Sequence, residues 1–343
     1  MSAAGDQREP DQLDGIPLPE QRHAVQGHDA ALSALRERFA TGRIPSAILI
    51  HGPQGIGKAT FAFEVARQVL TSTGDEDAHR VAEQIAAGSH PNVFVLRRQP
   101  KDTKGFYTVI RVEDIRDLRD RMRKTRGRAG YRIAVIDSID DCNPSAANAL
   151  LKTLEEPPAE TLFLLVSHRP GGLLPTIRSR CHVQALRPVS DAAVRSIVSG
   201  PSDDPASLEH AIALAQGRPR RAFEALTMGD EGALLALRNW LMDPVRPPVA
   251  AHIGLADLIA ADWAGAQAGF ARDMLTDWLA AEATGAATSG ARMRLASANE
   301  LWEKAHALFA EADALNLDAR QTLIAIFDAI RRHVQKTWHS EAS

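Results

Sequence analysis

The chain has 343 residues, 45% apolar and 24% charged; at about 150 residues per domain that gives two or three domains with full cores and excludes a disordered, fibrous or small disulfide-stapled protein. Forty basic against 43 acidic residues leave a net charge of −3, so the chain is no polycation and any nucleic-acid contact has to come from a local patch. Cys142 and Cys181 are the only cysteines, too few for a cysteine zinc module or a disulfide framework.

Residues 1–24 begin MSAAGDQREPDQLDG, polar and acidic, and read as a flexible arm without the apolar core of a signal peptide. No apolar run is long enough to span a bilayer, so a soluble, cytoplasmic protein is expected. From 25 to 187, short apolar runs (Ala47 to Ile50, Val93 to Leu96, Ile133 to Ile136, Leu162 to Val166) alternate with helix-like stretches. Such runs are strands buried on both faces of a parallel sheet, joined by helices. Residues 189–228 read as a few short helices, and the chain from about 232 onward is rich in Ala and Leu at helical spacing. Prolines 244, 247 and 248 mark a linker. Asp318 is the expected N-cap of a last helix, with Leu323, Ile326, Phe327, Ile330 and Val334 along one face.

The first strand runs into Gly52-Pro-Gln-Gly55-Ile-Gly57-Lys58-Ala59-Thr60 and then a helix, FAFEVARQVL. Glycines let backbone N–H groups turn inward, and the helix N-terminus adds partial positive charge, so the loop cradles phosphates while Lys58 neutralises them. The residue after the lysine should carry a hydroxyl for Mg²⁺, but it is Ala59; Thr60 comes one place late, turned by ~100°. A glycine-rich turn that binds nothing is the competing reading. Tyr131 to Asp137 is a second buried strand closed by an acid, which in phosphate-loop proteins holds the Mg²⁺ hydration shell; a mere loop cap is the alternative. Oligomeric ATPases place a Glu next, to activate water. Here it is Ser138, and a missing general base costs typically 10²–10⁴ in rate. Asp140 and Asp141 lie beyond the strand end and are expected to point elsewhere. Hydrolysis is therefore not expected.

Asn143-Pro-Ser-Ala-Ala-Asn-Ala-Leu-Leu-Lys-Thr-Leu-Glu-Glu-Pro-Pro158 is a capped helix: Asn143 the N-cap, Pro144 the first helical residue, the double proline a stop, and Leu150, Leu151 and Leu154 the apolar face. With Ser179-Arg180-Cys181, Gly27-His-Asp-Ala, Ile110 to Arg116 and Asn316-Leu-Asp318, this run resembles the bacterial DNA polymerase III sliding-clamp loader, an AAA+ assembly, over about residues 25–338. The resemblance implies an α/β plus all-α chain: a phosphate-loop AAA+ domain with a parallel sheet (25–187), a small helical lid (188–243), a helical collar for oligomerisation (244–338) and a tail (339–343). It makes Arg180 an arginine finger that reaches a neighbour's ATP, worth about 10³–10⁵ in turnover. A rigid guanidinium fork suits the charge that spreads over the transferring phosphoryl group.

By the same resemblance Gly52, Gly55, Gly57, Lys58, Thr60, Asp137 and Arg220 are the nucleotide-binding set, and His168 falls where other members sense the γ-phosphate, a satisfied loop histidine being the competing reading. The implied cofactor is ATP, with Mg²⁺ only alongside nucleotide; occupancy stays open, and zinc is excluded because no cysteine lies between 61 and 130, where many relatives carry a four-cysteine module. The implied partners are the tau/gamma and delta subunits, the sliding clamp and primed DNA within a hetero-oligomer, without a membrane. Ala59, Ser138 and the run Ser167-His-Arg-Pro-Gly-Gly-Leu-Leu-Pro175 set the chain apart from the hydrolysing tau/gamma subunits. An active AAA+ motor subunit is the alternative, and a small-molecule kinase on the same loop a third. Arg116, Arg119, Arg121, Arg123, Lys124, Arg126, Arg128 and Arg132 form a basic run that reads either as a solvated face or as a contact for DNA or an acidic partner, with no aromatic residue in 116–130 to stack a base. Trp263, Trp278, Trp302 and Phe309 read as a private core or as part of the collar.

Overall fold

Five parallel strands, β1 (Ala47–His51), β2 (Val93–Leu96), β3 (Arg132–Asp137), β4 (Thr161–Ser167) and β5 (His182–Ala185), form one sheet in the order β2-β3-β4-β1-β5. The computed structural model describes residues 9–22, 24–73, 76–103, 105–123, 128–199, 204–228, 232–261, 263, 265–315 and 317–341. Register is continuous across the sheet: Leu96 pairs with Ile136, Asp137 with Val166, and His51 with both Ser167 and Ala185.

Successive strand residues point to opposite faces, and here both faces are covered, which is why the runs are apolar throughout. Ile48, Ile50, Ile133, Val135, Leu162 and Leu164 meet residues of α1 (Asp29–Ala40), α2 (Lys58–Thr73) and α3 (Ala78–Ala86). Leu49, Ala134, Ile136, Phe163 and Leu165 meet α4 (Val112–Arg123), α5 (Pro144–Glu155) and α6 (Pro175–Arg178). Asn143 caps α5 as expected, its side chain accepting from the Ala146 N–H at 2.8 Å, and Leu150 and Leu154 are buried beneath it.

The chain divides into two units, Met1–Leu208 with Ala215–Glu224, and Glu209–Leu214 with Ala225–Ser343. α7 (Asp191–Val198) lies in the first; α8 (Pro205–Ala215) and α9 (Pro219–Met228) each contribute to both. The division between the units runs through the stretch 188–243 read as a lid. Val189 N–H donates to the Gly217 carbonyl at 2.9 Å, and a Cβ on Gly217 would lie 2.5 Å from the Val189 oxygen, so this junction is closed to any larger residue.

The second unit contains α10 (Gly232–Met242), α11 (Val249–Ala260), α12 (Ala266–Ser289), α13 (Arg292–Leu315) and α14 (Ala319–Glu341). The proline cluster 244–248 is a turn inside it, held by Arg331, which donates to the carbonyls of Pro247 (2.6 Å) and Val245 (3.0 Å). α14 is the helix read from the sequence: Asp318 accepts from the Gln321 N–H at 3.2 Å, and Leu323, Ile326, Phe327, Ile330 and Val334 are buried. Trp278 donates to the Leu241 carbonyl, and Arg272 lies over the rings of Trp263 and Phe309. No helix among the described residues is long and apolar enough to cross a membrane.

Candidate functional site

Parallel strands deliver their carboxyl ends to one edge, and ligands of such sheets bind where the strand order reverses. Here the chain leaves β1 for the far edge and returns through β3 and β4 to its side, so the reversal falls at β1. After His51 the backbone passes through Gly52, Gly55 and Gly57, all at positive φ, and enters α2 at Lys58. A Cβ on Gly52 would stand 2.3 Å from the Leu186 carbonyl oxygen, so that position admits only glycine.

Lys58 is 3% exposed and its ammonium turns back on the loop, donating to the carbonyls of Gly52 (2.8 Å) and Pro53 (2.6 Å). Burial lowers its pKa to about 7, against the opposing pull of Asp137 and Asp140. Together with Gly55, Gly57, Thr60, Asp137 and Arg220 it lines a cavity of about 240 Å³. Thr60 therefore faces the same space, though Ala59 brings no hydroxyl to the preceding position.

Asp137 ends β3 and is engaged by Arg97, which directly follows β2. Arg97 Nε lies 3.3 Å from Asp137 Oδ2, its two terminal nitrogens donate to Glu20 at 3.0 and 2.8 Å, and Glu9 lies 3.3 Å away. Burial works to lower the Arg97 pKa, but these carboxylates outweigh it and hold the side chain more firmly charged than an ordinary arginine. Beside it, Arg98 donates to both oxygens of Asp11 at 3.0 Å and lies 3.2 Å from Asp141.

Asp140 is not among the residues that line the cavity; it ties the β3 loop to the end of β4. It accepts from Ser138 Oγ (2.8 Å), Ser167 Oγ (3.0 Å), and the N–H groups of His168 (2.6 Å) and Arg169 (3.2 Å). Burial pushes its pKa up, but these hydrogen bonds outweigh burial and the net shift is downward. A carboxylate so fully engaged is a fixed acceptor and a poor base. His168 is among the residues lining the cavity; its Nδ1 is buried and has no hydrogen-bond partner among the described residues. Burial and Lys58 lower its pKa to about 4, so it is neutral at pH 7.

Arg220 joins the loop through its backbone N–H, which donates to the Gly55 carbonyl at 3.2 Å, while its side chain pairs with Glu224 at 2.8 Å and donates to the Asp11 carbonyl. Arg180 stands apart from the cavity. It follows α6, is exposed, and lies 2.8 Å from Glu155, with a second nitrogen donating to the Thr176 carbonyl at 2.9 Å. The basic run divides: Arg132 is buried and donates to the Met122 carbonyl, Arg128 pairs with Glu76, and Arg116, Arg121 and Arg123 are exposed on α4, Arg121 over the Phe94 ring. Lys124 and Arg126 lie outside the described residues.

Residues 9–22, read from the sequence as part of a flexible arm, supply much of the cavity wall, including Glu9, Asp11, Leu13, Ile16 and Leu18. The missed signal is charge complementarity: acids at 9, 11 and 20 meet the pair Arg97-Arg98 beyond β2.

Residues 27–190 match the model of the family described as "DNA polymerase III, delta subunit". The chain is 38% identical over 182 residues to the DNA polymerase III subunit delta' of Pseudomonas aeruginosa, which covers 51% of this chain and 54% of that protein. It is 34% identical over 172 residues to the DNA polymerase III subunit tau of Salmonella typhimurium, covering 47% of this chain and 25% of that protein. The chain thus matches about half the length, or less, of these curated relatives. Among solved structures, a DNA polymerase III gamma-subunit-related protein of Thermotoga maritima is similar with a TM-score of 0.41 and 17% identity, covering 88% of this chain and 99% of that one.

Proposed function

We propose, from the premise that this chain is a relative of the DNA polymerase III delta-prime subunits, that it is the non-hydrolysing AAA+ subunit of a sliding-clamp loader. It stands beside ATP-driven tau/gamma-type and delta-type subunits and lends Arg180 to a neighbour's triphosphate while the clamp is placed on primed DNA. The observation that carries this reading is the state of the carboxylates at the β3 end. Ser138 occupies the base position, Asp137 is paired with Arg97, and Asp140 accepts four hydrogen bonds, so none of the three groups is placed to take a proton from water. Arg180, by contrast, is held at the surface by an exposed partner, free to exchange that carboxylate for a phosphate.

An active motor subunit is the second reading, supported by the similarity to tau. The two separate on the isolated chain: turnover of ATP at ~1 s⁻¹ or above, an ordinary enzyme rate, belongs to a motor. Within a complex reconstituted with its partner subunits, Arg180→Ala is expected to leave this chain folded and assembled yet to reduce DNA-stimulated ATP turnover at least tenfold, a threshold well below the about 10³–10⁵ that such a guanidinium contributes. Unchanged turnover would discard the finger role.

A further inference from the structure

Outside the segment 9–22, the charged residues lining the phosphate-loop cavity are four cations, Lys58, Arg97, Arg98 and Arg220, and one carboxylate, Asp137. Such a wall suits a polyanion. The segment neutralises this excess by setting Glu9 and Glu20 on Arg97, Asp11 on Arg98, and the Asp11 carbonyl on Arg220. Arg22 of the same segment sits over the Phe223 ring, 5.2 Å from its centre, anchoring the far end of the strap. The oxygen contacts to Arg97, Arg98 and Arg220 are of the kind a phosphate oxygen makes with a guanidinium.

The Asp137 side of the cavity has a second peculiarity. A phosphate-loop Asp normally shares its charge with Mg²⁺, whose other protein ligand is the hydroxyl after the lysine. Here that position is Ala59, and the charge of Asp137 faces a guanidinium that is 7% exposed and 3.3 Å away. The residues present do not fit a metal: a resident cation already neutralises the carboxylate, and bringing a divalent ion beside it would force two positive charges together in a buried site.

We propose that the acidic segment Glu9 to Glu20 is a built-in anionic ligand of this cavity, and that a nucleoside triphosphate enters only by displacing it, with Arg97 in the role that a divalent metal has in related loops. The guanidiniums of Arg97 and Arg98, released from their carboxylates, and that of Arg220, released from the Asp11 carbonyl, then take the phosphate oxygens. Binding is consequently weak in the native chain and indifferent to magnesium, unlike binding to a loop that recruits its metal with the nucleotide. The inference concerns the chain's own loop and is independent of what Arg180 does for a neighbour.

The test uses the full chain and a fluorescent N-methylanthraniloyl-ATP probe, titrated in EDTA and again in excess Mg²⁺. The variant Glu9→Gln/Asp11→Asn/Glu20→Gln keeps the segment's shape and removes its charge; it is expected to bind the probe at least tenfold more tightly than the native chain, in EDTA as well as in Mg²⁺. Adding Arg97→Gln to that variant is expected to lose at least tenfold in EDTA, with circular dichroism and Tm reporting whether the fold is kept. Equal affinity of native and triple-variant chains, no binding by either, or binding by the triple variant only with Mg²⁺ would each overturn the proposal. Since the triple variant alone decides these outcomes, misfolding of the Arg97 variant does not rescue it. All of this is measured without partner subunits, so failure here leaves the clamp-loader reading standing, and failure of that reading leaves this one.

Discussion

Arg180 Nη2 rests 2.8 Å from Glu155 Oε1, so the guanidinium proposed to act in trans is already paired in cis, to the last residue of α5. Side chains at this contact are 36% and 46% exposed. An ion pair of that exposure is worth about 0–1 kcal/mol. Glu155 therefore aims the arginine without trapping it.

Glu155→Ala is expected to leave Tm within about 2 °C of the parent, because no buried group loses a partner. In the reconstituted complex it should change DNA-stimulated turnover by less than about fivefold, the equivalent of 1 kcal/mol. Arg180→Lys, in contrast, keeps the charge but loses the planar fork, and should resemble Arg180→Ala. Full turnover with lysine would mean that charge alone suffices.

Replacing Ser138 by Glu supplies the missing carboxylate and is still expected to leave ATP turnover of the isolated chain below ~1 s⁻¹. The substitution removes the Ser138 hydroxyl from Asp140 and sets an acid beside one that is half-buried and charged, while Ala59 still lacks a hydroxyl. Like charges at close range oppose each other, so Tm should also fall by several degrees. Vigorous hydrolysis in this single variant would refute the account of the β3 end.

Lys58 makes a pH prediction whose sign is fixed by its lowered pKa. In the unfolded chain it titrates near 10.5, in the native chain near 7. Below pH 7 both forms are charged and the cost of burial is fully present. Between about 7 and 10.5 the unfolded chain binds the extra proton, so this residue makes stability rise with pH. Lys58→Met abolishes that rise and leaves the carbonyls of Gly52 and Pro53 without their donor. Urea denaturation of the native and variant chains across this range reads the difference directly: the gap should move in the native chain's favour as pH increases, and a constant gap would contradict the shift.

The parts of the fold that sequence made legible are those whose environment is uniform along the element. β1, β3 and β4 are covered on both faces and read as unbroken apolar runs; Asn143 and Asp318 cap helices because their short side chains reach backbone N–H groups three residues on. β5 escaped notice for the opposite reason. His182-Val-Gln-Ala185 lies at the sheet edge, alternates in exposure, and leaves Val183 half exposed, so no apolar run announces it. In the site, the loop glycines and Lys58 were readable because local backbone geometry demands them. Arg97, Asp140 and the segment 9–22 were not, because their roles come from partners tens of residues away: Arg97 meets Glu20 across 77 positions, and Asp140 meets His168 across 28.

The second unit carries a buried polar link among three helices that predicts its acid sensitivity. His333 of α14 makes hydrogen bonds to Ser297 of α13 at 2.8 Å and to Glu282 of α12 at 3.0 Å, and Glu282 also receives Arg294 at 2.6 and 3.0 Å. The His333 hydrogen bond first, and then Arg294, lower the Glu282 pKa to about 2 although burial opposes them. A carboxylate whose native pKa lies below its unfolded value of 4.5 stabilises above that value and loses its contribution as pH falls from about 4.5 to 2. Glu282→Gln is therefore expected to cost roughly 1–3 kcal/mol at pH 7, in the range for a buried hydrogen-bonded charge, and nothing further as acid is added through that window. The native chain should lose stability there until the two converge. Thermal unfolding followed from pH 6 to pH 2 distinguishes this from a merely steric defect, which would keep the two curves parallel.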